Sequence, residues 1–112
     1  MTRVLVCGGL NYGDKAKVCA ELDKLQPKLV IHGGAGGADQ HAASWADTHT
    51  IPCMCFAAPW FGAGHAGGPI RNRWMLEFGR PDLILAFPGG RGTESMTALS
   101  RAAGLPVTEI SP

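Results

Sequence analysis

Leu83-Ile84-Leu85-Ala86-Phe87 is an uninterrupted apolar run, and Pro88 stops it just before Gly89-Gly90-Arg91-Gly92-Thr93. A strand with no polar alternation is buried on both faces, which points to a parallel sheet covered by helices on each side. Glycines at three of the next four positions let successive backbone N–H groups converge with no Cβ between them. A helix predicted from about Thr93 to residue 103 adds unpaired N–H groups and the positive end of its dipole. The product is an anion cradle: Thr93 caps the helix or offers its hydroxyl to a phosphate oxygen, and Arg91 supplies charge. A tight connection that holds no ligand is the alternative reading of the same residues.

The succession of strand, glycine turn and helix recurs along the chain. Val4 to Cys7 reads as the first strand and ends in Gly8-Gly9. A helix follows from about Asp14, its N-cap, to Gln26, with Val18, Leu22 and Leu25 forming the stripe that packs on a sheet, and Pro27 ends it. Leu29-Val30-Ile31 is a second strand, followed by His32-Gly33-Gly34-Ala35-Gly36-Gly37 and a helix from about Ala38 to His49. Cys53 to Phe56 is a third strand, residues 57–68 a long loop, Pro69 to Phe78 a helix, and Pro106 to Glu109 a short last strand. The order predicts one α/β domain over residues 1–112: a Rossmann-like, doubly wound parallel sheet of about five strands with helices on both faces. Ligands of such sheets bind outside the carboxyl ends of the strands, and the glycine turns after the first, second and fourth strands all fall on that edge.

Composition narrows the partner. Charged residues make up 17% of the chain and the net charge is +1 with no block of Lys or Arg, which disfavours a nucleic acid held along its phosphate backbone and leaves a small anion open. Cys7, Cys19, Cys53 and Cys55 lack zinc-site spacing, and His32, His41, His49 and His65 lack metal-ligand spacing with carboxylates. Buried free thiols, no metal and no cofactor are expected. Nothing reads as a signal peptide or membrane span, so a cytoplasmic setting with no membrane partner is expected. Neither G-x-x-x-x-G-K-[ST] nor G-x-S-x-G occurs. Gly62-Ala63-Gly64-His65-Ala66-Gly67 spells G-x-G-x-x-G but sits inside the long loop after Pro59, away from the strand-to-helix turn that a dinucleotide fingerprint requires.

Taken together, Gly8-Gly9, His32-Gly33-Gly34-Ala35 with Gly37-Ala38-Asp39, Gly68-Pro69-Ile70-Arg71-Asn72-Arg73 with Met75, and Pro88-Gly89-Gly90-Arg91-Gly92-Thr93 with Met96 resemble the YspA-like branch of the SLOG superfamily over nearly the whole chain. That superfamily also holds the LOG phosphoribohydrolases and the DNA-processing protein DprA. The resemblance implies a Rossmann-like fold that binds a nucleotide or nucleotide-sugar, as a homodimer or tetramer. LOG enzymes carry P-G-G-x-G-T-x-x-E, whose glutamate takes part in N-glycosidic cleavage; here that position is Met96. Glu94 lies two residues earlier and, at ~100° per residue, points to nearly the opposite side of the helix. The resemblance also implies arginines where this chain has Leu10 and Gly36, so its site is less cationic.

The ligand-binding set expected from these patterns is Gly8, Gly9, Gly33, Gly34, Asp39, Arg71, Asn72, Arg73 and the run Pro88, Gly89, Gly90, Arg91, Gly92 and Thr93. Arg71 and Arg73 are two apart on a helix, so only one easily faces a cleft. Asp39 either binds ribose or supports the dipole of its helix. Trp60 and Phe61 stack on a base or cover the core; Trp45 and Trp74 read as core or oligomer contacts. The leading expectation is a sensor or sequestering protein for a nucleotide-derived small molecule, such as a NAD-derived immune signal. A LOG-like nucleoside 5′-monophosphate N-glycosidase is the alternative, using Arg71 or Arg73 with a relocated carboxylate such as Asp39 or Glu77, and with Glu94 as a further candidate that is no simple substitute. Single-strand DNA binding in the manner of DprA is the weakest reading.

Overall fold

The computed structural model describes residues 2–58, 64 and 67–112. Its elements in chain order are β1 (Arg3–Cys7), α1 (Lys15–Leu25), β2 (Leu29–His32), α2 (Ala38–Thr48), β3 (Cys53–Cys55), α3 (Gly67–Glu77), β4 (Leu83–Ala86), α4 (Arg91–Ala102) and β5 (Val107–Glu109). The five strands form one parallel sheet in the order β3-β2-β1-β4-β5. The chain winds outward from β1 to β3, then crosses back to place β4 on the other side of β1, so the switch point lies between β1 and β4.

Alternation along the central strands divides the core into two layers. Val4, Val6, Val30 and Leu85 face α1 and α2, where Val18, Leu22, Ala42, Trp45 and Ala46 meet them. Leu5, Cys7, Ile31, Ile84 and Ala86 face α3 and α4, where Met75 and Met96 meet them. Both faces of the sheet are thus covered, as the apolar runs predict. Asp14 caps α1 by accepting from the Lys17 N–H at 3.0 Å. Before Pro27 the helix closes on Gln26, in the left-handed region at φ 49°.

Two expectations need correction. Cys53 and Cys55 are exposed, because β3 is a sheet edge; only Cys7 is a buried thiol, and Cys19 is half-buried. The last helix begins at Arg91, two residues earlier than predicted, with Gly90 as its N-cap residue. Thr93 therefore sits inside the first turn and is not the cap. Trp45 is a core residue whose indole Nε1 donates to Asp23 Oδ1 at 2.9 Å. No helix among the described residues is long and apolar enough to cross a membrane.

The tightest point of the fold is the entry to α2. Gly37 has φ 62° and ψ −124°, a region only glycine occupies freely. A Cβ built there would run into the Gly9 carbonyl oxygen and lie 2.7 Å from Leu10 backbone atoms. Gly37→Ala is expected to lower stability by about 3 kcal/mol or more, the sum of strain and collision. Urea unfolding of wild type and variant at one pH measures it.

Candidate functional site

The turns after β1, β2 and β4 meet at the carboxyl edge of the sheet, backbone against backbone. The Gly9 N–H donates to the Pro88 carbonyl at 2.9 Å, and the Gly9 carbonyl accepts from Tyr12 at 3.1 Å and from Ala38 at 3.4 Å. Over this junction, between α3 and α4, opens a cleft of about 970 Å³. Cys7, Met75 and Met96 lie among its lining residues and also in the packed layer beneath α3 and α4.

The start of α4 forms one wall. Gly90, Arg91, Gly92 and Thr93 line the cleft, and no side chain caps the helix. The N–H groups of Arg91, Gly92 and Thr93 therefore have no acceptor among the described residues. They concentrate the positive end of the helix dipole on the cleft. A Cβ at Gly90 or Gly92 would meet nothing within 4 Å. Gly92 lies inside the helix, so the fold itself does not require glycine there, whereas Gly90, at φ −102° and ψ −143°, holds a backbone conformation outside the regions other residues favour.

Arg71 stands on α3 on the opposing side. Its Nη1 donates to the Gly33 carbonyl at 2.7 Å and its Nε to Asn72 Oδ1 at 3.0 Å, so the guanidinium is tethered across to the turn after β2. Asp39 holds the same turn from the other side: its Oδ2 accepts from the Gly33 N–H at 3.0 Å and the Ala35 N–H at 3.3 Å. Burial pushes the Asp39 carboxyl up to about 6, against the opposing pull of those two N–H groups and of Arg71. The two roles weighed for Asp39 are not exclusive, since it braces the turn and also lines the cleft. His32, whose imidazole burial pushes below its ordinary value, accepts the Gly34 N–H at Nδ1, 3.0 Å away. Burial, with Asp39 and Glu109 nearby, pushes the Cys7 thiol up to about 12. It cannot serve as a thiolate near neutral pH.

Gly8, Gly9, Gly33, Gly34, Asp39, Arg71, Asn72, Gly90, Arg91, Gly92 and Thr93 come together around the cleft. Pro88 and Gly89 do not line it; they face a separate cavity of about 210 Å³ behind the first turn of α4, together with Glu94. Glu94 is thus turned away from the cleft, as helical geometry predicts. Arg73 is exposed and does not line the cleft either. Met75, an apolar residue four positions after Arg71, marks the buried face of α3 and is the sequence signal that selects Arg71 over Arg73. Met96 is 1% exposed and lines the cleft at the position where LOG enzymes carry their glutamate. Ser95 and Cys7 also line it and were not foreseen; Cys7 could have been found from the alternation of β1. Trp60, Phe61, His65 and most of the 62–67 run lie outside the described residues.

The raised Asp39 value has a definite sign for stability. A carboxyl that titrates higher in the folded state than its ordinary 3.8 favours folding when protonated. Its contribution is fully present below pH 3.8 and is lost as the pH climbs through about 6. The shift amounts to roughly 3 kcal/mol. Asp39→Asn keeps an oxygen for the Gly33 and Ala35 N–H groups but carries no charge, so it should be more stable than wild type at pH 7.5, with the gap closing toward pH 4. Urea unfolding of both proteins across that range gives the difference; a variant less stable than wild type at pH 7.5 would contradict this account of the site.

Comparison with known proteins agrees with this architecture. The crystal structure of the structural-genomics target TM1055 superposes with a TM-score of 0.73 at 20% identity, covering 96% of this chain and 72% of that one, which shows a shared fold. The gene 61 protein of Mycobacterium phage D29 is 35% identical over 119 residues, spanning 96% of this chain and 94% of that protein. The model of the YspA, cpYpsA-related SLOG family matches residues 2–61, which takes in the turns after β1 and β2 and Asp39 at the start of α2. The chain belongs to the YspA, cpYpsA-related SLOG family.

Proposed function

We propose that this protein binds a nucleotide or nucleotide-sugar, with a phosphate seated on the N-terminus of α4 and facing Arg71, and that it senses or sequesters that ligand. The observation that carries the reading is the uncapped start of α4 opposite a tethered arginine in one cleft. Backbone donors and a guanidinium together provide a charge-assisted oxyanion site. A volume near 970 Å³ accommodates a ligand of nucleotide size. Met75 and Met96 supply apolar surface for the rest of the ligand, and Asp39 supplies an acceptor for a sugar hydroxyl.

The freedom around Gly92 supports the same reading. A Cβ at that helical position would meet nothing, and its absence allows an anion to approach the backbone closely. A second reading, N-glycosidic cleavage of a nucleoside 5′-monophosphate, is favoured by one observation: the Asp39 carboxyl is held near neutrality beside Arg71. Met96 in place of the LOG glutamate opposes it.

Incubation with adenosine 5′-monophosphate, ADP-ribose and cyclic ADP-ribose isomers, followed by mass spectrometry of retained and free fractions, separates the two. Retention of an intact ligand is the expected result, and release of free base would establish cleavage. Arg71→Ala should weaken retention at least about tenfold, the size of one charge-assisted contact. Gly92→Ala should leave the melting temperature unchanged or raise it, by up to about 1 kcal/mol of helix propensity, while weakening retention. Full retention by both variants would remove the anion site.

A further inference from the structure

We infer that Asn72 is the positioning residue for anion recognition in this cleft, acting through Arg71; the inference rests on the anion-binding reading above. Neighbouring residues on a helix diverge by ~100°, so their side chains do not ordinarily meet. Here Arg71 bends back so that its Nε–H reaches Asn72 Oδ1 at 3.0 Å, while Nη1 reaches the Gly33 carbonyl at 2.7 Å. The two anchors come from different elements, one on α3 and one on the turn after β2. They fix both the position and the plane of the guanidinium.

Asn72 is suited to the task because it is itself held. It is 4% exposed, so its amide has little freedom. An Nε–H can bond only to the amide oxygen, which settles the orientation of the carboxamide and turns Nδ2 the other way. Nδ2 has no partner among the described residues, and no fully buried side-chain nitrogen or oxygen among them lacks one. Nδ2 is therefore not fully buried.

Two of the five N–H donors of Arg71 are used by the protein, and Nη2 has no partner among the described residues. A free arginine would lose rotamer freedom on meeting an anion, whereas this one has lost it beforehand. A Cβ at position 33 would overlap the Arg71 Nη1, so the turn after β2 is shaped around the guanidinium. Asn72 thereby orients the cation, and its effect on the anion passes through Arg71.

A double-mutant cycle tests the inference, with inorganic phosphate as the probe, titrated at pH 7.5 and constant ionic strength and read from the Gly92 and Thr93 amide shifts. Asn72→Ala and Arg71→Ala should each weaken phosphate binding at least fivefold, and the double variant should be no weaker than Arg71→Ala alone. Equal losses from Asn72→Ala in both backgrounds, or no loss in the wild-type background, would overturn the positioning role. Unaltered binding by Arg71→Ala, or no response of the wild type, would overturn the anion-binding reading and this inference with it.

The Arg71 Nε–H resonance of the unliganded protein gives a readout that packing alone would not move. It should be protected from solvent exchange in wild type and in Asn72→Asp, which keeps an oxygen at that point, and unprotected in Asn72→Ala. Equal protection in Asn72→Ala overturns the inference. If that variant does not fold, Asn72→Ser, whose hydroxyl is too short to reach Nε, takes its place in both measurements.

Discussion

The hydrogen bond from the Gly9 N–H to the Pro88 carbonyl joins two turns that are far apart in the chain, and the walls of the cleft are arranged around it. Gly9 accepts from Ala38 through its carbonyl, so the same residue also anchors the start of α2. Such contacts require main chains to approach without side chains between them. That is the reason for Gly37, whose φ of 62° and contact with the Gly9–Leu10 backbone leave no alternative residue. Once the turns are laced together, the first turn of α4 and the turn carrying Asp39 have fixed positions. Arg71 closes the arrangement by tying α3 to Gly33.

The site combines groups that help the fold with groups that burden it. Gly37 belongs to the first kind. Asp39 belongs to both, because its carboxylate satisfies two backbone N–H groups yet is buried at a net disadvantage when ionised. Gly92 belongs to the second, since alanine would fit the space and favour the helix more. Residues that a fold tolerates and does not need cluster where a ligand is read.

Much of this was legible in the chain. The long apolar run at 83–87, the alternating glycine turns and the Val18-Leu22-Leu25 stripe were sufficient for the sheet, the helices and the edge on which the cleft lies. Four things were not. Alternation says that Cys53 and Cys55 share a face, but a strand's place at the edge depends on sheet order, a tertiary property. The start of α4 was read two residues late because Arg91-Gly92 looks like turn chemistry, although weak helix formers are tolerated in a first turn whose N–H groups have no internal partner. The choice between Arg71 and Arg73 depends on helix phase, which Met75 marks only if the burial of that face is already assumed. The raised titration of Asp39 comes from its burial in the folded chain, and no local pattern announces it.

The strand order carries a consequence for how the protein comes into being. β1 is central, yet its second neighbour, β4, begins 80 residues further along the chain, with Val4 opposite Leu83. Pairings of that separation form slowly and leave β1 with an open edge until the late segment arrives. During synthesis the β1–β2–β3 half can assemble early, but the cleft lacks one wall until Arg91 to Thr93 have been made and folded. A nascent or truncated chain thus carries only part of the cleft, which is completed last.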